Sequence, residues 1–483
     1  MTVAARDTAK KQTDFVSWRL ADWASRLQYD HLTPEAVHAA KLFLFDSFGC
    51  ALGGSQQDDV EIALEHFKQM GGAPLCTCLV DGFKTNPVDA AFLNALMIRA
   101  MDYNDIYWKQ DPSHPSDLIP AALAIGELRG LGGRDLILGT VIGHELEMRF
   151  CEAAIPGVRE YGWHHATLTA FVSPVVAGRL LGLTPEQIQH AIGISASHSC
   201  SLGAVTAGKL TNMKNTVDPM ATRAGVEAAL LAQRGYTGPE HVIDGKEGLT
   251  HVFGHDWDLT RLTDGLPGTS GGADHYKILD CGMKSFPIEA LSHAPLTAMM
   301  KIVKEHDIDP DQVAQIKVEV IARAADILGD PAKYRPTSKE TADHSLPYSL
   351  AVGLADGMVT PLQFTQERID DPALIPIMDK IKVVPNEEFE GLFPEYQPSR
   401  VTITLNDSAG TGAGREFQQR VDVPKGDPRD PMTQDEIAVK FNALGRDVVG
   451  AERCEQLREL IMQIDQEQTL DRFLTLMTGR AGA

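Results

Sequence analysis

A change of hydrophobic period near residue 275 constrains this chain more than any motif. Before it, apolar residues recur at helical spacing. After it, Ile316, Val318 and Val320 alternate with Lys317 and Glu319, the period of a half-buried strand. Lys380–Val384 repeats the alternation weakly. Val401, Ile403 and Leu405 alternate again, Asn406 to Gly410 supplies turn residues, and Phe417–Val423 returns, which predicts a hairpin with a long, Gly-rich tip. Helices are expected between the strands, at 286–305 and 344–359. The chain therefore reads as mainly α: a large all-helical domain over 1–275, completed by the tail 430–483, and a smaller α+β lid domain over 276–429. Pro424 to Pro431, rich in proline and charge, reads as the linker back.

Local signals sharpen the helical part. Thr33-Pro34-Glu35 offers an N-cap, a proline at the first helical position and an early acid. Thr184 and Gln187 form a capping box. Pro174 interrupts the apolar run 165–183 and should kink it. In 217–234, Ala221, Ala224, Gly225, Ala228, Ala229 and Ala232 cluster on a helix, where small residues permit close packing. Gly235 fits the position just past that helix.

Composition mainly excludes. The length, 483 residues, suits two or three domains, and 43% hydrophobic residues can bury a sizeable core. A net charge of −22 argues against nucleic acid or an anionic membrane as the main partner. An anionic substrate remains compatible, provided a few cations converge locally. Seven dispersed cysteines without a CxxC pair are not a disulfide framework, and Cys76-x-Cys78 alone cannot hold an iron–sulfur cluster or zinc. The opening MTVAARDTAKKQTDF has no apolar core, and no run of 18 apolar residues occurs, so the cytoplasm is the expected location.

Generic motifs fail. His251-x-x-x-His255 has two-ligand spacing without HExxH, His144-Glu145 lacks a second histidine, and Gly130-x-Gly132-Gly133 follows a helical pattern rather than a strand. No nucleophile elbow and no P-loop occur. What remains is dispersed: Asp102 and His114 in MDYNDIYWKQDPSHPSD, His164 and His165 in YGWHHAT, Lys214 in TNMKNTVDP, Lys284 in GMKSFP, and Tyr348 in DHSLPYSLAVGL. Taken singly, each histidine reads as a satisfied structural residue and each lysine as a helix-end charge. Their interest is collective.

Several long blocks in order, among them HPSDLIPAALAIGE, GWHHATLTAFVSPVVAGRLLGL, MKSFPIEALSHA and TADHSLPYSLAVGLADGMVT, resemble the MmgE/PrpD family over nearly the whole chain. The resemblance implies a homodimeric, metal-free and cofactor-free enzyme with a helical domain and an α+β lid. It implies an active site at Asp102, His114, His164, Lys214, Lys284 and Tyr348, with His165 and Glu289 joining the two lysines in binding substrate. The loop from Asp102 to His114 is about two residues longer than in the decarboxylase branch. That branch has threonine where Ile106 stands and histidine where Glu289 stands, with His293 a turn later here. The pattern is nearer the dehydratases, which implies loss of water from a 3-hydroxy tricarboxylate: 2-methylcitrate to 2-methyl-cis-aconitate, in propionate catabolism. Cis-aconitate decarboxylation, iminodisuccinate-type epimerisation and a non-catalytic carboxylate-binding role are the alternatives. For dehydration, Lys214 and Lys284 would neutralise carboxylates and developing charge, and His114 and His164 would serve as base and acid in either order. Tyr348 and Asp102 would orient them or relay a proton.

Overall fold

The computed structural model describes residues 12–480, apart from 110, 208, 254, 255, 270, 271 and 273; His255 and the first eleven residues thus lie outside the described residues. Buried apolar residues form two main cores. One runs from Val16 to Met283 and resumes from Ile437 to Met477. The other is assembled from Ile288 to Val421.

Helices dominate the first core. Thr33 caps the helix Pro34–Gly54 by accepting from the Ala36 amide, and Thr184 and Gln187 close a capping box on Pro185–Ala196. The helix Ala166–Leu181 continues through Pro174 and packs on Met213–Gln233. The contact is close because of the small residues: a Cβ on Gly225 would stand 2.0 Å from Ser173 Oγ. Gly235 is left-handed, φ 86°, and ends that helix. Gly130, φ 61°, ends Ile119–Arg129, and Gly133 opens Gly133–Ala153 with its Cα against the Ile464 carbonyl, so these glycines serve a turn and a close approach. All seven cysteines are free thiols. Among the described residues no helix is long and apolar enough to cross a membrane.

The first unit departs from the all-helical expectation. Cys76–Thr77 pairs with Lys84–Thr85, and Asp105–Trp108 lies between Pro112–Ser113 and Gly282–Met283, all antiparallel. The prolines at 112 and 115 remove the amides a helix would need, and the polar stretch pairs as a ribbon instead.

Around the second core, a four-stranded sheet has the order Ile381–Pro385, Val313–Val320, Ser399–Leu405, Glu416–Val421, with only the first pair parallel. The hairpin register sets Val401 opposite Gln419 and Ile403 opposite Phe417. The helices His293–His306 and Leu346–Asp356 cover the sheet's apolar side.

The C-terminal helix Gln434–Val449 packs against Pro34–Gly54, where the Phe45 and Phe441 rings stack at 4.5 Å. On the same helix Lys440 is buried, 2.7 Å from Asp46, and donates to the backbone carbonyls of Tyr103 (2.6 Å) and Lys284 (3.0 Å). The tail thus grips the two segments that carry Asp102 and Lys284.

Candidate active site

Strand pairing makes the first contact of the site. Asp105 opposite Met283 and Ile106 opposite Gly282 bring the ends of two distant segments together. Lys284 Nζ then lies 2.9 Å from Asp102 Oδ1 and donates to the Asp102 carbonyl at 3.1 Å. Asp102 has φ 51°, a conformation a non-glycine residue keeps only when its surroundings over-determine it. Those surroundings are Arg99, which ion-pairs with it, Lys284, and Lys214 at 3.6 Å. Burial alone would push the Asp102 carboxyl up; the three cations outweigh it and hold the group well below the carboxylate range. Arg99 also faces Asp117 at 3.7 Å and Asp218 at 3.8 Å.

Other groups arrive at helix starts. Lys214 lies in the first turn of Met213–Gln233, His165 precedes Ala166–Leu181, and His344 precedes the N-cap of Leu346–Asp356. Helix N-termini favour anions, and this compounds the local positive charge in a chain of net charge −22. Burial, the largest influence, pulls Lys214 down to about 8, against Asp102 and Asp343, which raise it.

Together Asp102, His114, His164, His165, Lys214, Lys284 and Glu289 line one chamber between the two cores. Tyr348 does not line it. Its side chain is fully buried in the second core, and its hydroxyl donates to the Gln363 carbonyl at 2.6 Å. Nothing in this placement supports an orienting or relaying role at the site: four positions past His344 on a helix start, Tyr348 is buried in the sheet-side core. The DHSLPY segment instead contributes His344. Arg99, Arg159 and His344 also line the chamber and were missed by the sequence reading. The signal for His344 was its place immediately before a Ser N-cap. Arg159 gave no such signal; it makes no ion pair among the described residues.

The hydrogen bonds on each imidazole's far nitrogen decide which face it shows. His114 Nδ1 is 2.6 Å from the Asp105 carbonyl, so Nδ1 carries the proton and Nε2 is a lone pair. His164 Nδ1 accepts from the Ala166 amide at 3.2 Å, so its proton sits on Nε2. Burial, more than any neighbour, holds both imidazoles neutral, well below the ordinary histidine range. His165 Nε2 faces Asp218 at 3.4 Å. Glu289 is pushed up to about 7, chiefly by burial and against the pull of Lys284. His293 lies outside the chamber, in an adjoining cavity of about 370 Å³ that shares Ile106, Trp108, Lys284 and Ala290 with it.

Three buried trios bring possible metal ligands within 4.8 Å: Asp105, His144 and Cys281; His164, His165 and Asp218; Asp102, Asp343 and His344. In the last two, Arg99 or lysines already answer the carboxylates, so a metal cation would meet positive charge. In the first, both Asp105 oxygens accept from Ser116.

The chamber is small, about 40 Å³. That is room for a few waters.

Converging lysines, imidazoles of opposite tautomer and a carboxyl near neutrality are the group types that acid–base chemistry on a small anion requires, and they line one chamber between the two cores. The chain belongs to the MmgE/PrpD family: the N-terminal domain model matches residues 18–262 and the C-terminal domain model residues 286–466. It is 24% identical to cis-aconitate decarboxylase of Aspergillus terreus, over 99% of this chain and 98% of that one. It is 24% identical to the human cis-aconitate decarboxylase, over 94% and 92%. It is 25% identical to the mitochondrial 2-methylcitrate dehydratase of Yarrowia lipolytica, over 84% and 80%.

Proposed function

We propose that this protein is a hydro-lyase that removes water from a 3-hydroxy tricarboxylate, with 2-methylcitrate as substrate and 2-methyl-cis-aconitate as product. The observation that carries this reading is the pair of opposite tautomers. Dehydration needs a lone pair to take a proton next to a carboxylate and an N–H or O–H to protonate the departing hydroxyl. His114 presents the first kind of group and His164 the second.

Lys214, Lys284 and Arg159 supply three cations for three carboxylates. As the C–H bond breaks, its electron pair moves toward the adjacent carboxylate, and a lysine there stabilises the growing charge. The pair then returns to form the C=C bond as the C–O bond breaks, and hydroxide leaves as water with the His164 Nε2 proton; the proton taken from carbon is afterwards passed back to restore neutral His164. A chamber of about 40 Å³ is too small to hold a tricarboxylate. On this reading the smaller unit acts as a lid that opens for substrate and closes for chemistry.

Decarboxylation is the second reading, favoured by the wider coverage of the Aspergillus terreus relative than of the Yarrowia one. It needs an acid to protonate the carbanion but no base, which leaves the His114 lone pair without a task. Incubation with 2-methylcitrate, citrate, cis-aconitate and iminodisuccinate separates the readings. Absorbance of a conjugated double bond marks dehydration, carbon dioxide marks decarboxylation, and altered optical rotation at constant mass marks epimerisation. Tricarboxylate bound but recovered unchanged would mark a non-catalytic binding protein. Lys214→Ala should lose activity by a factor of about 100 or more while the fold survives, as for removal of one transition-state charge partner; near-normal turnover would sink its anchoring role.

A further inference from the structure

We propose that Asp343 and His344 form a proton-transfer dyad on the smaller unit, with His344 Nε2 as the base that takes the substrate proton. The proposal rests on the dehydration reading and moves its base from His114 to His344. His344 Nδ1 lies 2.6 Å from Asp343 Oδ1. The carboxylate thus holds the proton on Nδ1 and leaves Nε2 as a lone pair. Nε2 makes no hydrogen bond among the described residues, and His344 lines the same chamber as His114, His164 and His165 of the helical unit.

Two lone pairs therefore face the chamber, and their supports differ. His114 Nδ1 is held by a neutral carbonyl, with Arg99 and Lys284 close enough to oppose an imidazolium. His344 is held by a carboxylate that is itself oriented by Lys214 at 3.7 Å and Lys339 at 3.4 Å. Proton uptake on His344 Nε2 makes an imidazolium beside Asp343, a stabilised charge; the same step on His114 does not. Lys214 and Asp102 also face His344. Burial first, and Lys214 second, hold the His344 imidazole down to about 4 in the free enzyme, against Asp343 and Asp102; a substrate carboxylate on Lys214 removes the second of these when the base is needed. The proton comes from the carbon next to that same carboxylate, its bonding pair moves into the carboxylate, and His164 returns a proton to the leaving hydroxyl. His114 then accepts the substrate O–H and orients it.

The experiment follows deuterium uptake at the substrate carbon, and turnover, in D2O with 2-methylcitrate and citrate, using the full-length chain. His344→Gln should lower both by about 100-fold or more, within the range for a lost general base, with KM changed little. His344→Ala should regain rate when imidazole is added, and the rate should rise with the basicity of substituted imidazoles. His114→Gln should raise KM more than it lowers exchange. His344→Gln that keeps exchange, or His344→Ala that folds and ignores imidazole, overturns the dyad while leaving dehydration standing. Wild-type enzyme that neither turns over nor exchanges overturns both.

Discussion

On the helical side of the chamber Asp102 is already answered by Arg99, Lys214 and Lys284, whereas Glu289 on the opposite side has no cation within ion-pair distance among the described residues and is pushed up to about 7. The helical side is cross-braced from four places in the chain: the Met213–Gln233 helix, the Asp105–Trp108 ribbon, the Gly282–Met283 strand and the C-terminal Lys440. The smaller unit's groups sit on two short lead-ins to helices, joined by the Glu289 amide donating to the Asp343 carbonyl at 2.9 Å. The contrast separates two tasks. On the proposed reading, charge that must be ready before an anion arrives is built into the cross-braced side, and proton exchange is divided between His164 on that side and His344 on the smaller unit.

The contrast can be broken most severely at Lys440. Lys440→Met leaves Asp46 buried without its partner and frees the Tyr103 and Lys284 carbonyls, so a loss of about 3–5 kcal/mol in stability is expected. Urea denaturation measures it, and activity should fall with it although Lys440 never touches the chamber. An unchanged midpoint would show that the tail does not brace the site.

A milder perturbation removes charge from the helical side alone. Lys214 is protonated below its pKa of about 8 and neutral above it. Since kcat/KM reports the free enzyme, it should decline above about pH 8, by up to tenfold per pH unit, as the carboxylate anchor loses its charge. A profile flat to pH 9.5 would place the anchoring elsewhere. The smallest effect is expected on the smaller unit. Tyr348→Phe removes the bond to the Gln363 carbonyl and should cost about 1 kcal/mol, visible in thermal unfolding, while kcat stays near wild type. A collapse of kcat with stability intact would return Tyr348 to the chemistry.

Much of the fold was legible because it rests on local rules. The strand alternation at Ile316–Val320 and Val401–Leu405, the caps at Thr33 and Thr184, and the glycine at 235 all express a few neighbouring residues. The ribbon at Asp105–Trp108 was not legible, because its partner is Gly282–Met283 and nothing in either segment alone names the other. The site divides in the same way. Asp102, His114, His164, His165, Lys214, Lys284 and Glu289 were marked by family resemblance and do line one chamber. Tyr348 was marked by the same resemblance, yet its ring fills the second core and His344, at the helix entrance, faces the chamber.

The sequence by itself determined the helical and strand periods, the family, and the types of side chain able to hold carboxylates and move protons. Only the tertiary structure decided which nitrogen of each histidine carries its proton. That choice is made by the Asp105 carbonyl, the Ala166 amide and the Asp343 carboxylate, each a hydrogen-bond partner set by its orientation in space. It likewise decided that Lys214 and Lys284 would share Asp102, because burial makes an unpaired charge so costly that the three must be packed as one group.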